Sequence, residues 1–396
     1  MKKQSSILGQ NKLLILSLVV LTPFVYKRMR QDHTLYLYHH PQSAIMKRAK
    51  FVPSFFMPNG HFQTILNPFY GMWLKKKNAI KFERELFKFK DEGTIALDWV
   101  DTKPNPESLT KKPIVAIVPG LTSDNDEIYV TNLLIEAKMR GYEPVVVNYR
   151  GASGMSLTSP KLYCASSQDD LREALEHIRQ NYCGINSHKH FSEEHPRSRP
   201  KHIFVIGSSM GANIVANYLG EDSSKCSMTA AVCIQPPMKI WIFSDNIQHQ
   251  LYGLYDKAIA ANLKMKFRHF SPALKQRYQD EFQIDLDKEI ENVKSSIDLD
   301  KVTAKVFGYT SCSDYQQRAS CIHKLPMIKT PTFIMMSKDD PLLGGEQSID
   351  YEVCQKNPYL LLGVTQNGGH LGYFENVLST DQWHVKPVFD YLDTFR

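Results

Sequence analysis

Several common signatures are missing from this sequence. No two cysteines stand in C-x-x-C spacing, and the seven present (Cys164, Cys183, Cys226, Cys233, Cys312, Cys321 and Cys354) cannot all pair internally. A stapled scaffold is therefore excluded, and the thiols read as mostly buried groups in a reducing setting. No Asn-x-Ser/Thr sequon occurs, which agrees with a catalytic domain that never meets the glycosylation machinery. No G-x-G-x-x-G or P-loop is present, so no nucleotide cofactor is expected. His188, His190 and His195 share a charged loop without H-E-x-x-H or cysteine partners, and the acidic stretch 285–301 lacks the glycine of an EF-hand; no metal is expected either. The net charge of +7 is spread over scattered lysines and arginines, which argues against nucleic acid and leaves a general attraction to anionic membrane surfaces.

Long apolar runs are scarce as well. The run at 13–26, LLILSLVVLTPFVY, is shorter than the roughly 20 residues a helix needs to cross a bilayer. Ile7, Leu8 and a snorkelling Lys12 could lengthen it, and the basic block KRMR at 27–30 follows in place of a small-residue cleavage site. Residues 1–30 are thus expected to be an uncleaved single-pass anchor in the endoplasmic reticulum or another internal membrane. A signal peptide and an interfacial or packed helix are the alternatives. Basic residues on both flanks leave orientation open, and oligomeric state is equally unmarked.

What is present is a large globular core. Over 396 residues, 42% hydrophobic and 22% charged with 20 Phe and 19 Tyr, the chain has material for one large domain with an insertion or for two ordinary ones. Residues 31–85 show no clear period, and function cannot be read from MPNGHFQTI at 57–65. LFKFK and TIALDWV, separated by Asp91-Glu92-Gly93, predict a β-hairpin, so 31–110 reads as an extension with a hairpin. From 111 onward, apolar runs at 114–120, 143–151, 202–208 and 229–236 alternate with helical stretches at 127–140, 168–182 and 210–219. That alternation predicts an α/β fold, a mostly parallel sheet with helices on both faces. It breaks at about 237–326, which reads as a helical lid insertion over the C-terminal edge of the sheet. It resumes with strands at 331–337 and 359–365 and helices near 346–355 and 382–395.

The junction VIGSSMGANIVANYL at 205–219 carries the chemistry. Only Gly207-Ser208-Ser209-Met210-Gly211 fits Gly-x-Ser-x-Gly, placing Ser209 on a sharp strand-to-helix turn where unpaired helical amides face the reacting centre. Close approach of strand and helix leaves room only for glycine two positions either side, and Ala212 keeps it tight. Ser208 would face the sheet. Met210 supplies one oxyanion N–H, and Leu121, after the strand ending VPG, is the candidate for the other. The acid and base should follow in the order Ser, acid, His. His370, in NGGHLG after the last strand, lies on a loop free to swing toward Ser209. Asp339 and Asp340 end the strand that resumes the sheet; Asp340 is favoured because Pro341 fixes an extended turn there.

Taken together, GSSMGAN, DDP and GGHLG, with GHFQTI, NYRG and TSPKLYCASSQDDL, resemble one branch of the α/β-hydrolases: animal membrane-anchored abhydrolase-domain lipid hydrolases, yeast medium-chain esterases with acyltransferase activity, and bacterial short-chain esterases. The resemblance spans about residues 50–395. It implies an α/β-hydrolase core over 111–396, a Ser209–Asp340–His370 triad, and lipid esters (monoacylglycerol, short- or medium-chain esters, or phospholipid) as substrates. Acyl transfer to an alcohol by the same triad and an inactive lipid-binding scaffold are the competing functions.

Overall fold

β-branched runs build the centre of the sheet. β4 (Ile114–Val118), β6 (Ile203–Ser208), β7 (Ala230–Ile234), β8 (Thr332–Ser337) and β9 (Leu360–Thr365) are buried along their whole lengths. Strands covered on both faces demand that composition. The computed structural model describes residues 31–43, 46, 49–57, 59–77, 80–105, 112–183, 201–267 and 270–396. In it these strands join β1 (Tyr36–His39), β2 (Phe82–Lys88), β3 (Thr94–Val100) and β5 (Glu143–Val147) in a nine-stranded sheet of order β1-β9-β8-β7-β6-β4-β5-β3-β2. The run from β5 to β9 is parallel; β1, β2 and β3 pair antiparallel at the edges. The expected anchor at 1–30 and the histidine loop at 188–199 lie outside the described residues.

Two layers cover this sheet. α3 (Gln168–Tyr182) presents Leu171, Leu175 and Ile178 to one face beside α4 (Met210–Asp222), which is buried from Met210 to Gly220. The other face receives α2 (Ile128–Met139) and α12 (Val385–Leu392) through Leu133, Leu134, Val388 and Phe389. Between β7 and β8 the chain forms α5 (Ile240–His249), α6 (Leu254–Phe267), α7 (Pro272–Phe282), α8 (Leu286–Asn292), α9 (Ser296–Val306) and α10 (Cys312–Ala319). They carry a small apolar cluster of their own around Leu274, Tyr278 and Leu299.

Three local expectations need correction. Residues 31–85 contain β1, hydrogen-bonded to β9, and an eighteen-residue helix, α1 (Gly60–Lys77). The period was hidden because both faces of α1 are mixed: Gln63 and Asn67 turn inward beside Leu66 and Tyr70, while Phe62, Ile65 and Phe69 are exposed. The helix expected at 346–355 is a 3-10 turn (Gly345–Ser348) and a short α11 (Tyr351–Lys356), because Ile349 and Asp350 are extended and Asp350 starts α11 anew by accepting from the Val353 amide. The last helix starts only at Val385.

The strand order reverses between β4 and β6, which lie side by side although β5 separates them in the chain. Such a switch point opens a crevice at the strands' carboxyl ends. The loop after β4 begins at Pro119 and the turn after β6 is Ser209, so both candidate segments border that crevice.

Candidate active site

Ser209 joins β6 to α4 with φ 53° and ψ −122°, a conformation that costs a non-glycine residue roughly 1–3 kcal/mol and persists only where its surroundings enforce it. Sterics enforce it here. A Cβ on Gly207 would stand 2.6 Å from Ala212 Cα, and one on Gly211 would stand 2.3 Å from Val118 O and 2.4 Å from Pro119 O. Gly207 therefore admits the helix to its own strand, as anticipated, whereas Gly211 admits it to the end of the neighbouring strand β4. The Ser209 amide donates to Ile234 O (2.8 Å), which fixes the turn against β7. Ser208 is fully buried, away from the crevice.

The three distant residues converge. His370 Nε2 lies 2.8 Å from Ser209 Oγ, and Nδ1 lies 2.7 Å from Asp340 Oδ2. A carboxylate only accepts, so Nδ1 carries the proton and Nε2 is left to accept from the serine hydroxyl. Asp340 is aimed by two amides of its own turn: its Oδ1 accepts from Leu342 N (2.8 Å) and Leu343 N (3.0 Å). Asp339 points elsewhere. Its two oxygens accept from the Gly369 amide (2.9 Å) and Asn367 Nδ2 (3.0 Å), and burial pushes its carboxyl above the usual range.

The loop bearing His370 is pinned, contrary to the expectation that it is free to swing toward Ser209. A Cβ on Gly369 would meet Gly60 O at 2.4 Å and Gln63 Cβ at 2.7 Å, so close approach to α1 is what excludes a side chain. Thr64 Oγ1 accepts from the His370 amide (2.8 Å), while Asn67 Nδ2 donates to His370 O (3.1 Å) and Leu371 O (2.8 Å). From the other side Gln235, itself at φ 49°, donates to Gly369 O and accepts from the Leu371 amide. Sequence reasoning missed this segment of 60–67. The available signal was Gln63, Thr64 and Asn67 at i, i+1 and i+4, one polar stripe on a helix rich in phenylalanine.

Of the two amides nominated for an oxyanion, Met210 opens α4. As the first residue of the helix, Met210 has no helical carbonyl four residues before it, so its N–H has no place in the helical ladder. Gly120 brings its loop against the serine, since a Cβ there would be 3.1 Å from Ser209 Cβ. The Gly120 amide itself donates to Tyr129 Oη (2.9 Å), which leaves its neighbour Leu121 as the candidate on that side. Among the described residues no cluster of three His, Cys, Asp or Glu side chains could hold a metal ion.

The sequence profile described as the alpha/beta hydrolase fold matches residues 113–377. The chain belongs to that family. It is 32% identical to the embryogenesis-associated protein EMB8 of Picea glauca over 86% of this chain and 71% of that one. It is 28% identical to phospholipase ABHD3 of Mus musculus over 83% and 74%. A monoacylglycerol lipase of Saccharomyces cerevisiae is 29% identical over 74% of this chain and 62% of its own.

In this α/β-hydrolase two polar side chains of NYRG hold the scaffold together. Asn148 of NYRG is buried and donates to Asp98 Oδ2 (2.8 Å); Arg150 of the same motif binds Asp170 and Asp91 (2.6 and 2.9 Å) and tethers the hairpin to α3. Next to Met210 and Leu121 a cavity of about 390 Å³ opens between the sheet and the helical insertion, with Tyr149, Ile240, Leu299 and Tyr315 in its walls. Asp300 on α9 also lines it, accepting from Gln316 Nε2 (3.1 Å). Burial, with Asp256 nearby, pushes that carboxyl up to about 7.

Proposed function

We propose that this α/β-hydrolase cleaves carboxylic esters of lipids through an acyl-enzyme on Ser209. The relay carries the reading: Asp340, His370 and Ser209 stand in one chain of hydrogen bonds at 2.7 and 2.8 Å. Ser209 Oγ attacks the ester carbonyl as His370 Nε2 takes its proton, and Asp340 stabilises the imidazolium and holds its tautomer. The oxyanion formed meets the Met210 and Leu121 amides. The imidazolium then protonates the departing alcohol, and a water activated by the same ring releases the acid. A mostly apolar cavity beside Met210 suits an acyl chain. Relatives named phospholipase and monoacylglycerol lipase support esters of glycerol or phospholipid as the class. Membrane attachment through residues 1–30 belongs to the same reading; among the described residues no helix is long and apolar enough to cross a membrane.

A fluorophosphonate probe tests the assignment directly. It should label the wild-type chain and fail to label Ser209→Ala, and labelling that persists in the alanine variant would remove Ser209 from the mechanism.

A further inference from the structure

Helix α1 carries an apolar stripe on the outside. Phe62, Ile65 and Phe69 recur at i, i+3 and i+7, and are 49%, 39% and 58% exposed. Gln63 and Asn67 face inward to the His370 loop. The turn before the helix adds Phe56, 70% exposed. His61 Nδ1 lies 2.9 Å from Tyr255 Oη and so ties α1 to α6, whose preceding turn exposes Leu251 and Tyr252, the latter by 96%. Exposed apolar side chains elsewhere, such as Leu86, Met139 and Leu378, stand singly and call for no partner. A contiguous exposed patch marks a surface that something covers.

Two further observations say what that is. Gln31, where the described chain begins, donates to Asn367, three residues before His370, and in sequence it directly follows the basic block at 27–30 and the apolar run at 13–26. Lys257 is exposed on α6, close in sequence to Tyr252, and adds positive charge suited to anionic headgroups. We propose that the outer face of α1, with Phe56 and the 251–252 turn, docks flat on a lipid bilayer and presents the Ser209 crevice to esters held in it. Only the substrate half of this proposal rests on the esterase reading. The docking itself is a matter of surface chemistry, independent of the serine.

The test uses the full chain carrying Ser209→Ala, whose own cysteines are buried or half-buried. Bimane is attached at Phe69→Cys or, as control, at Leu86→Cys on β2 near the opposite sheet edge. The protein is reconstituted on phosphatidylcholine vesicles containing one third phosphatidylserine, with and without brominated acyl chains. Brominated lipid should quench the probe at 69 at least about threefold more than the probe at 86, as expected for side chains sunk into the headgroup–acyl boundary. Equal quenching at both positions would overturn the proposal. So would a blue-shifted but unquenched probe at 69, the result if residues 13–26 or a second copy of the chain cover the stripe. In the active chain, Phe62→Ser/Ile65→Ser/Phe69→Ser should lower hydrolysis of a vesicle-borne ester about tenfold or more while leaving soluble p-nitrophenyl butyrate unaffected; equal rates on vesicles for variant and parent would also overturn it. Failure of the parent to hydrolyse either ester would sink the esterase reading and leave the quenching to decide the docking.

Discussion

Ser209 and His370 meet within hydrogen-bonding distance, yet the molecule holds them by opposite means. The serine is held mainly by exclusion, with one backbone bond to Ile234: two glycines press its turn against the start of α4 and the end of β4. The histidine is fixed by bonding, through side chains of Thr64, Asn67, Gln235 and Asp339 that reach its loop from far along the chain. Steric confinement is local and insensitive to solvent. A polar web is assembled only when the whole fold closes, and each strand of it can be cut separately.

Cutting the acid should give the largest contrast. Asp340→Asn is expected to lower kcat by about 10⁴ by removing the acceptor that sets the His370 tautomer. Asp339→Asn, which disturbs only the loop, should stay within about tenfold of wild type. Equal losses in the two variants, measured on a soluble ester, would dissolve the distinction between them.

On the serine side the sharpest intrusion is Gly211→Ala, whose methyl would overlap two carbonyl oxygens. It should destabilise the protein by about 3 kcal/mol, read from urea unfolding. A midpoint unchanged from wild type would mean that the turn can relax, and that confinement is not what holds Ser209.

The helical insertion offers a milder contrast, because the carboxyl that lines its cavity forms no ion pair among the described residues. Asp300 binds its proton more tightly folded than unfolded, so folding takes up a proton. Stability therefore falls as pH climbs from the ordinary carboxylate range toward about 7 and is level above it. Asp300→Asn should accordingly stabilise the protein by about 2 kcal/mol at pH 8, because the cavity it faces softens the full penalty, and change little at pH 4. Urea midpoints at the two pH values decide it, and a gain confined to pH 4 would reverse the sign.

Least drastic is Asn67→Ala, which frees one side of the loop. A drop in kcat of about fivefold with KM unchanged is expected, and a change in KM alone would make Asn67 a substrate contact instead of a positioning residue.

Most of the sheet was legible before any coordinates, since uninterrupted runs such as IVAIV and IFVIG have few alternatives to a strand covered on both faces. The hairpin, α3 and the six-helix insertion followed from equally local patterns. Reading failed where local pattern and tertiary role oppose each other. α1 divides its apolar residues, with Phe62, Ile65 and Phe69 outside and Leu66 and Tyr70 inside, so its periodicity gave no single core-facing stripe. At 346–355 an extended Ile349–Asp350 step, with Asp350 as a new N-cap, divided the helical composition in two. The loop at His370 read as free to swing, because the side chains that hold it lie on segments distant in sequence.

By itself the sequence determined the parallel core, the strained turn at Ser209, and two acids and a histidine in the order such chemistry uses. The patterns that mark them are local, where propensity and steric bulk act directly, although the backbone that Gly211 must clear belongs to the end of β4. Only the tertiary structure decided which aspartate faces the imidazole, that the Gly120 loop abuts the serine, and that residues 60–67 hold the histidine in place. Each of those rests on hydrogen bonds or contacts between segments up to about three hundred residues apart, whose pairing is set by how the sheet and its helices close around one crevice.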